Sequence, residues 1–193
     1  MKTVAVFCGS SPGNDPVLME TAYKLGQQLA IDGIDLVYGG AKVGLMGAVA
    51  DGALSQRGRV IGILPEFLKT KEIAHQGLTE LILVESMHER KLKMHELSDG
   101  VIALPGGYGT LEEYFEMLTW GQLGLHKKPI ALLNINGFYD GLLTLADTMV
   151  MSGLLKPVNR EMMLVSDTIN DLLKQMTTYK APLVGKWITA NEV

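Results

Sequence analysis

Short apolar runs alternate along the chain with longer segments in which apolar residues recur at helical spacing. The runs predict buried strands, and the longer segments predict amphipathic helices. The predicted strands are Thr3–Cys8, Ile34–Tyr38, Val60–Leu64, Leu78–Val84, Val101–Leu104 and Ile130–Leu133. The predicted helices are Pro16 to about Ala30, Leu45–Gln56, Met87–Leu97, Thr110–Leu123, a segment near Phe138–Met151, and Asp167–Tyr179. Asp15 suits the N-cap of the first helix, a short apolar run covers Met162–Val165, and Pro65–Gln76 is the longest irregular stretch.

This alternation of strands and helices predicts an α/β fold, a parallel sheet with helices on both faces, because strands buried on two sides are continuously apolar. The length of 193 residues suits a single domain, residues 1–193. Ligands of such sheets bind beyond the carboxyl ends of the strands. Three predicted strand ends are rich in glycine or small polar residues: CGSSPGN, YGGAKVGLMG and LPGGYGTLEE.

Composition and charge narrow the possible partners. The formal net charge is −4, so there is no broad basic field for generic nucleic-acid binding. Cys8 is the one cysteine, which precludes an internal disulfide and fits a reducing compartment. The first residues have too short an apolar core for a signal peptide, and no stretch is long enough for a membrane span. We therefore expect a cytoplasmic protein without membrane contact.

The segment Pro105–Thr110, PGGYGT, lies between a predicted strand and an amphipathic helix. Glycines let the backbone approach an anion, and a helix start offers free N–H groups and a positive dipole end. A monophosphate would fit there, although a plain tight turn gives the same string. The spacing GxGxxE departs from the dinucleotide fingerprint GxGxxG, and no GxxxxGK[ST] string occurs. The second glycine loop, residues 39–47, could face the same ligand or serve close helix–strand packing.

Two charged residues do not fit the apolar patterns around them. Arg90 shares a helical face with Met87, Met94 and Leu97. A buried cation needs an anionic partner, which could be a substrate phosphate or a carboxylate such as Glu113, unless Arg90 extends to solvent. Glu113 could be a catalytic carboxylate, or it could close a capping box with Thr110. The four histidines show no compact metal spacing, and we expect no metal site.

The string MHERK followed by PGGYGTLEE resembles the LONELY GUY (LOG) family of cytokinin riboside 5′-monophosphate phosphoribohydrolases, whose members are often labelled lysine decarboxylases. CGSS and YGGAKVGLMG also match, and the resemblance covers roughly residues 3–180. It implies a Rossmann-like fold, a homodimer, no cofactor, and hydrolysis of a nucleoside 5′-monophosphate such as AMP or an N6-substituted AMP. Free base and ribose 5-phosphate would be the products.

The resemblance also implies roles for individual residues. Arg90 and Glu113 would be catalytic. The residues expected to contact substrate are Glu72, Lys91, Gly107, Tyr108, Gly109, Thr110, Leu111, Glu112 and Thr119. No motif supports the pyridoxal-phosphate lysine of a usual lysine decarboxylase. The alternative is a non-enzymatic protein of the same fold that binds a nucleotide or molybdenum cofactor. The presence of both Arg90 and Glu113 favours the enzyme, because binding an anion does not require a carboxylate beside it.

Overall fold

The computed structural model describes residues 1–69 and 74–182. The strands are β1 (Thr3–Phe7), β2 (Asp35–Tyr38), β3 (Val60–Pro65), β4 (Glu80–Val84), β5 (Gly100–Ala103), β6 (Ile130–Leu133) and β7 (Met163–Ser166). The helices are α1 (Pro16–Ile31), α2 (Gly44–Ser55), α3 (Glu66–Lys69), α4 (Met87–Leu97), α5 (Tyr108–Gln122), α6 (Asp140–Met151), α7 (Pro157–Arg160) and α8 (Ile169–Thr178). A 3-10 turn at Ile135–Gly137 precedes α6. None of the helices in these ranges is long and apolar enough to cross a bilayer.

The predicted elements are present, with small shifts at their ends, and one strand, two short helices and the 3-10 turn are added. Asp15 caps α1 as expected, since its side chain accepts a hydrogen bond from the Val17 N–H at 2.9 Å. The run that begins at Met162 contributes the strand β7. The helices α3 and α7 each have four residues, and α3 lies in a stretch that we predicted to be irregular. A single helical turn is too short to produce a periodic pattern, so neither helix was predictable from the hydrophobic spacing.

The seven strands form one parallel sheet in the order β4-β3-β2-β1-β5-β6-β7. The α/β prediction is confirmed, and the fold is Rossmann-like. From β1 the chain builds outward first through β2, β3 and β4, and then on the other side through β5, β6 and β7. The reversal between β1 and β5 is a topological switch point, where the loops that follow neighbouring strands diverge and leave a crevice.

Helices cover both faces of the sheet, as the continuous apolar strands predict. One core contains side chains of α1, α2 and α8 packed on alternate strand residues such as Val4, Leu36 and Ile102. The other contains side chains of α4, α5 and α6 packed on the intervening residues, such as Ala5 and Val101. This second layer places α4 and α5 beside each other at the carboxyl ends of the strands.

Candidate active site

The three glycine-rich loops meet at the switch point. The Gly9 N–H, after β1, donates to the Pro105 carbonyl, after β5, at 3.1 Å. The Leu45 N–H, at the start of α2, donates to the Gly9 carbonyl at 3.1 Å. The loops that the sequence singled out therefore surround one crevice, at the position where open α/β sheets bind ligands.

The loop after β5 leaves open space at two of its three glycines. A Cβ at Gly106 would collide with the Thr110 side chain, so the packing of the loop itself requires that glycine. A Cβ at Gly107 or Gly109 would meet no described atom within 4 Å, and neither residue has a positive φ. Neither the fold nor the backbone conformation therefore requires glycine there, and the absence of side chains leaves the backbone open to close approach by a ligand.

The same loop forms the start of α5, where Gly107 is the N-cap residue and no side chain caps the helix. The first N–H groups of a helix have no partner within the helix and carry the positive end of its dipole. Residues 107–110 consequently form a cradle of backbone N–H groups around an open space. This geometry is the one expected for a phosphate.

The capping-box interpretation of Glu113 is wrong. It requires Thr110 at the N-cap, but the N-cap is Gly107 and Thr110 lies inside the first turn. The Glu113 Oε1 accepts a hydrogen bond from the Arg90 Nη1 at 3.0 Å instead. The Glu113 side chain therefore faces α4 rather than the helix end.

Arg90 and Glu113 form a buried ion pair, with side-chain exposures of 12% and 10%. The Arg90 Nε also donates to the Ile63 carbonyl on β3, at 3.2 Å. The carboxylate was one of the partners that the sequence allowed for Arg90, and an extension to solvent is excluded. Burial raises the pKa of Glu113 above its ordinary value, while the positive charge of Arg90 opposes that change. The carboxylate is thus largely buried beside a cation and close to the phosphate cradle.

Arg90 reaches this position because the loop after β2 has no side chain in its way. A Cβ at Gly39 would collide with the Arg90 Nη2, although the φ of Gly39 is not positive. Other glycines of the loop pack against protein: a Cβ at Gly44 would collide with Ser10, and one at Gly47 with the Lys42 backbone. The second glycine loop therefore serves close packing and the passage of Arg90.

Lys91, the next residue of α4, is buried and contacts two carboxylates of α5. Its Nζ lies 2.5 Å from Glu112 Oε1 and 3.1 Å from Glu116 Oε1. Burial lowers the pKa of Lys91, but the hydrogen bonds to Glu112 and Glu116 outweigh burial and raise the pKa above its ordinary value. A charged ammonium clamped in this way is a poor Schiff-base amine. Its evident role is to join α4 to α5 beside the Arg90–Glu113 pair.

The remaining predicted contact residues are dispersed. Tyr108 is 94% exposed at the mouth of the cradle, and Leu111 packs its side chain against the core. Thr119 lies six residues beyond Glu113, about 9 Å along the helix axis. Its hydroxyl donates to the Phe115 carbonyl at 2.7 Å, and its side chain lines a groove between α5 and α6. Glu72 lies outside the described residues.

Sequence reasoning missed Glu116 and the requirement for glycine at position 39. Glu112 and Glu116 are four residues apart and share a helical face, so their spacing was a usable signal for a buried cation between them. The requirement at Gly39 depends on the path of a side chain from α4, and nothing in the local sequence indicates it.

Cys8 and the histidines are not arranged for nucleophilic or metal chemistry. Cys8 is buried, and burial together with the negative charge of Glu113 raises the pKa of its thiol. It packs as a small residue, as expected. Within residues 1–69 and 74–182, no cluster of three His, Cys, Asp or Glu side chains could hold a metal ion.

Comparisons with known proteins show which sequences the chain is similar to. A sequence model of the family described as "Possible lysine decarboxylase" matches residues 46–176. The chain is 47% identical over 176 residues to a probable cytokinin riboside 5′-monophosphate phosphoribohydrolase LOGL1 of Oryza sativa subsp. japonica, covering 91% of this chain and 79% of that protein. It is 45% identical over 180 residues to the cytokinin riboside 5′-monophosphate phosphoribohydrolase LOG7 of Arabidopsis thaliana, covering 93% and 82%.

Among solved structures, the chain resembles the molybdenum cofactor binding protein of Rippkaea orientalis. That similarity has a TM-score of 0.69 at 25% identity and covers 92% of this chain and 96% of the other. The molybdenum cofactor carrier protein of Chlamydomonas reinhardtii has a TM-score of 0.66 at 20% identity, covering 92% and 99%, and shows the fold alone.

Proposed function

The chain belongs to the LONELY GUY family of phosphoribohydrolases, and from that premise we propose that it hydrolyses the N-glycosidic bond of a nucleoside 5′-monophosphate. The substrate is AMP or an N6-substituted AMP, that is, a cytokinin riboside 5′-monophosphate. Water is consumed, and free base and ribose 5-phosphate are released. Residues 1–193 act as one nucleotide-binding domain in the cytoplasm.

The observation that carries the proposal is the buried Arg90–Glu113 pair beside the open cradle of residues 107–110. The cradle binds the 5′-phosphate through backbone N–H groups, with Gly107 and Gly109 giving the anion close access. Phosphate bound there fixes one end of the substrate, and the binding energy of that end orients the sugar. The substrate is thereby presented to the Glu113 carboxylate, which is buried beside Arg90.

Glu113 acts on the sugar. As the bond between C1′ and the base breaks, its electron pair leaves with the base and positive charge develops on C1′ and the ring oxygen. The Glu113 carboxylate stabilises that charge and accepts the proton of the water that attacks C1′. The departing base takes up one proton from solvent, and Glu113 later returns to solvent the proton that it accepted, so the net reaction consumes one water and leaves the carboxylate unchanged. Arg90 orients the carboxylate through the 3.0 Å hydrogen bond, and its positive charge opposes the rise in the pKa of Glu113 that burial causes.

The alternative is a non-enzymatic carrier, as in the Rippkaea orientalis protein, which binds molybdenum cofactor. A carrier needs the anion cradle but not a buried carboxylate near it, because a negative charge there opposes the binding of an anion. Burying two charges costs free energy, and a carrier has no use for the pair. The Arg90–Glu113 pair therefore favours an enzyme over a carrier.

We also propose that two copies of the chain pair through α5 and α6. A groove of about 190 Å³ lies between these helices, lined by Phe115, Leu118, Leu142, Leu145, Met149 and Leu155. Leu145 is 50% exposed, and the nearby Leu154 is 84% exposed. An apolar face of this kind is typical of a subunit interface. Thr119 lines the same groove and lies at the proposed interface. The contacts of Thr119 and Glu72 with substrate are therefore proposed for the paired chains.

The test of the reaction is incubation of the protein with AMP, without added metal, followed by chromatography for free adenine. Adenosine is the control, and it should react far more slowly because it lacks the phosphate that the cradle binds. Equal rates for AMP and adenosine would contradict the phosphate site. Binding of AMP without turnover of any purine monophosphate would favour the carrier. Light scattering that reports a monomer at micromolar concentration would contradict the pairing.

A further inference from the structure

Three tyrosines are almost fully buried, and their hydroxyl groups differ. In the part of the chain that the structure describes, the hydroxyls of Tyr38 and Tyr114 have no hydrogen-bond partner. The hydroxyl of Tyr139 donates to the Leu104 carbonyl at 2.6 Å. Leu104 immediately precedes the loop that forms the phosphate cradle. Tyr139 is therefore the buried tyrosine whose polar group contacts the functional site.

The acceptor of this bond lies where the sheet gives way to the cradle. Phe7 of β1 pairs with Ala103 of β5, and the Leu104 N–H donates to the Phe7 carbonyl at 2.9 Å. If the parallel ladder continued, the Gly9 N–H would donate to the Leu104 carbonyl. It donates instead to the Pro105 carbonyl, one residue further on, at 3.1 Å. The Tyr139 hydroxyl thus takes the place of the missing ladder bond.

The turn that carries Tyr139 is itself firmly held. The Asn134 Oδ1 accepts from the Tyr139 N–H at 2.7 Å, and the Asn134 Nδ2 donates to Asp140 Oδ1 at 2.8 Å. Asn136 has a φ of 51°, in the left-handed region, and its Nδ2 donates to Asp15 Oδ2 at 2.8 Å. A residue in that region costs conformational energy and persists where its surroundings fix it. Residues 134–140 therefore form a rigid support that joins the loops after β1, β5 and β6.

We infer that Tyr139 is a positioning residue for the phosphate cradle, an inference that rests on the proposed function. Its hydroxyl fixes the Leu104–Pro105 peptide after the ladder has ended, and so sets the direction in which residues 106–110 leave the sheet. It acts through the backbone and touches no reacting atom. Loss of the hydroxyl weakens the binding of a 5′-phosphate and leaves the chemistry at Glu113 largely intact.

The experiment compares Tyr139→Phe with Tyr114→Phe, which removes a buried hydroxyl that has no partner. With AMP as substrate, Tyr139→Phe should raise KM about three- to tenfold and change kcat by less than about twofold, the range that one lost hydrogen bond gives. The inhibition constant of ribose 5-phosphate should rise by the same factor. Turnover of adenosine, which does not use the cradle, should stay within about twofold. Tyr114→Phe should leave all these quantities within about twofold.

The ratio of kcat/KM for AMP to that for adenosine does not depend on the folded fraction, since both are measured on one preparation. If Tyr139→Phe does not fold, Asn134→Ser, which removes the acceptor for the Tyr139 N–H, should lower the same ratio. An unchanged ratio and an unchanged KM in a folded Tyr139→Phe would overturn the inference. A fall in kcat alone would also overturn it.

Calorimetry with ribose 5-phosphate separates this inference from the proposed function, because it needs no turnover. If the parent protein binds ribose 5-phosphate but hydrolyses nothing, the proposed reaction fails, while weaker binding by Tyr139→Phe still supports the positioning role. Equal binding by the parent and Tyr139→Phe would overturn that role. A parent protein that binds no ribose 5-phosphate would overturn it together with the phosphate site.

Discussion

Replacing Glu113 by glutamine removes one negative charge and little volume. Glutamine keeps an oxygen that can accept the Arg90 Nη1–H, so the contact at 3.0 Å can persist as a hydrogen bond from the charged guanidinium to a neutral amide. What is lost is the charge that would stabilise the developing cation and accept the proton of water. General-base and electrostatic contributions are typically about 10²–10⁴-fold, and we expect kcat for AMP to fall by that factor.

The effect on stability follows from two opposing costs. Burial raises the pKa of Glu113, so its charge is itself unfavourable in the folded state, and glutamine removes that cost. Glutamine also leaves Arg90, with a side-chain exposure of 12%, without a counter-ion. Breaking a buried ion pair outright costs about 3–5 kcal/mol, and the retained hydrogen bond and relieved desolvation reduce that. We expect a loss of about 1–3 kcal/mol, or a Tm lower by roughly 2–10 °C.

The assay measures adenine release by chromatography and unfolding by calorimetry on the same preparations. Glu20→Gln is the matched control, since it makes the same change in charge at an exposed pair with Lys24. It should leave kcat unchanged and cost less than about 1 kcal/mol. As pH is lowered, kcat/KM of the parent should fall when Glu113 becomes protonated. Because the pKa of Glu113 is raised, this fall should begin at a higher pH than for an ordinary carboxylate, and the pH profile of the glutamine variant should lack it.

A Glu113→Gln variant that is folded and turns over AMP at the parent rate would refute the reasoning. The carboxylate would then be a structural partner of Arg90 only, and another group would have to stabilise the cation. A variant that fails to bind AMP would also contradict it, because the phosphate cradle is formed by backbone groups of residues 107–110 that glutamine does not alter.

Three further predictions concern other parts of the site and the fold. Arg90→Lys should lower kcat/KM for AMP at least about tenfold, because lysine cannot donate both to Glu113 and to the Ile63 carbonyl in the guanidinium geometry; near-parent activity would show that charge alone suffices. Gly39→Ala should reduce turnover by a similar factor, because the added Cβ displaces Arg90. The control is Gly33→Ser, at a positive φ with no neighbour within 4 Å, which should lower stability modestly and leave turnover unchanged. Equal turnover in both variants would contradict the steric argument. Burial, with Lys128 and His126 nearby, lowers the pKa of His95 from 6.5 to about 4. Between pH 6.5 and about 4, His95 is protonated in the unfolded chain but not in the folded protein. The free energy of unfolding, measured by urea titration, should therefore fall as pH drops from 6.5 towards 4, and it should fall less in His95→Gln.

Much of the fold could be predicted because each strand lies between two helical layers. Val101–Leu104 and Ile130–Leu133 are continuously apolar since both their faces are buried, so they are distinct from the periodic helices around them. The order of the strands was not predictable, because nothing in the sequence says that β5 returns to the side of β1 away from β2. The strand β7 was visible only as a short apolar run, too short to assign.

The position of the site was predictable, and its internal connections were not. Glycine-rich strings after three strands indicated the edge of the sheet, because parallel strands bring their carboxyl ends together. The bond from Tyr139 to Leu104 joins residues 35 positions apart, and local sequence gives no sign of it. The same holds for Gly39, whose lack of a side chain matters only because Arg90 of α4 passes over it.

The two charged residues that looked anomalous in the sequence explain each other. Taken alone, Glu113 had an ordinary explanation as a helix cap, and Arg90 had one as a side chain that extends to solvent. The cap fails because α5 begins three residues earlier than the Thr110-x-x-Glu113 spacing requires, which moves Glu113 well inside the helix. The extension fails because the face of α4 that carries Arg90 packs against the sheet and α5. Each side chain is then buried beside the opposite charge of the other, and the open anion cradle next to this pair supports the catalytic role that we propose for it.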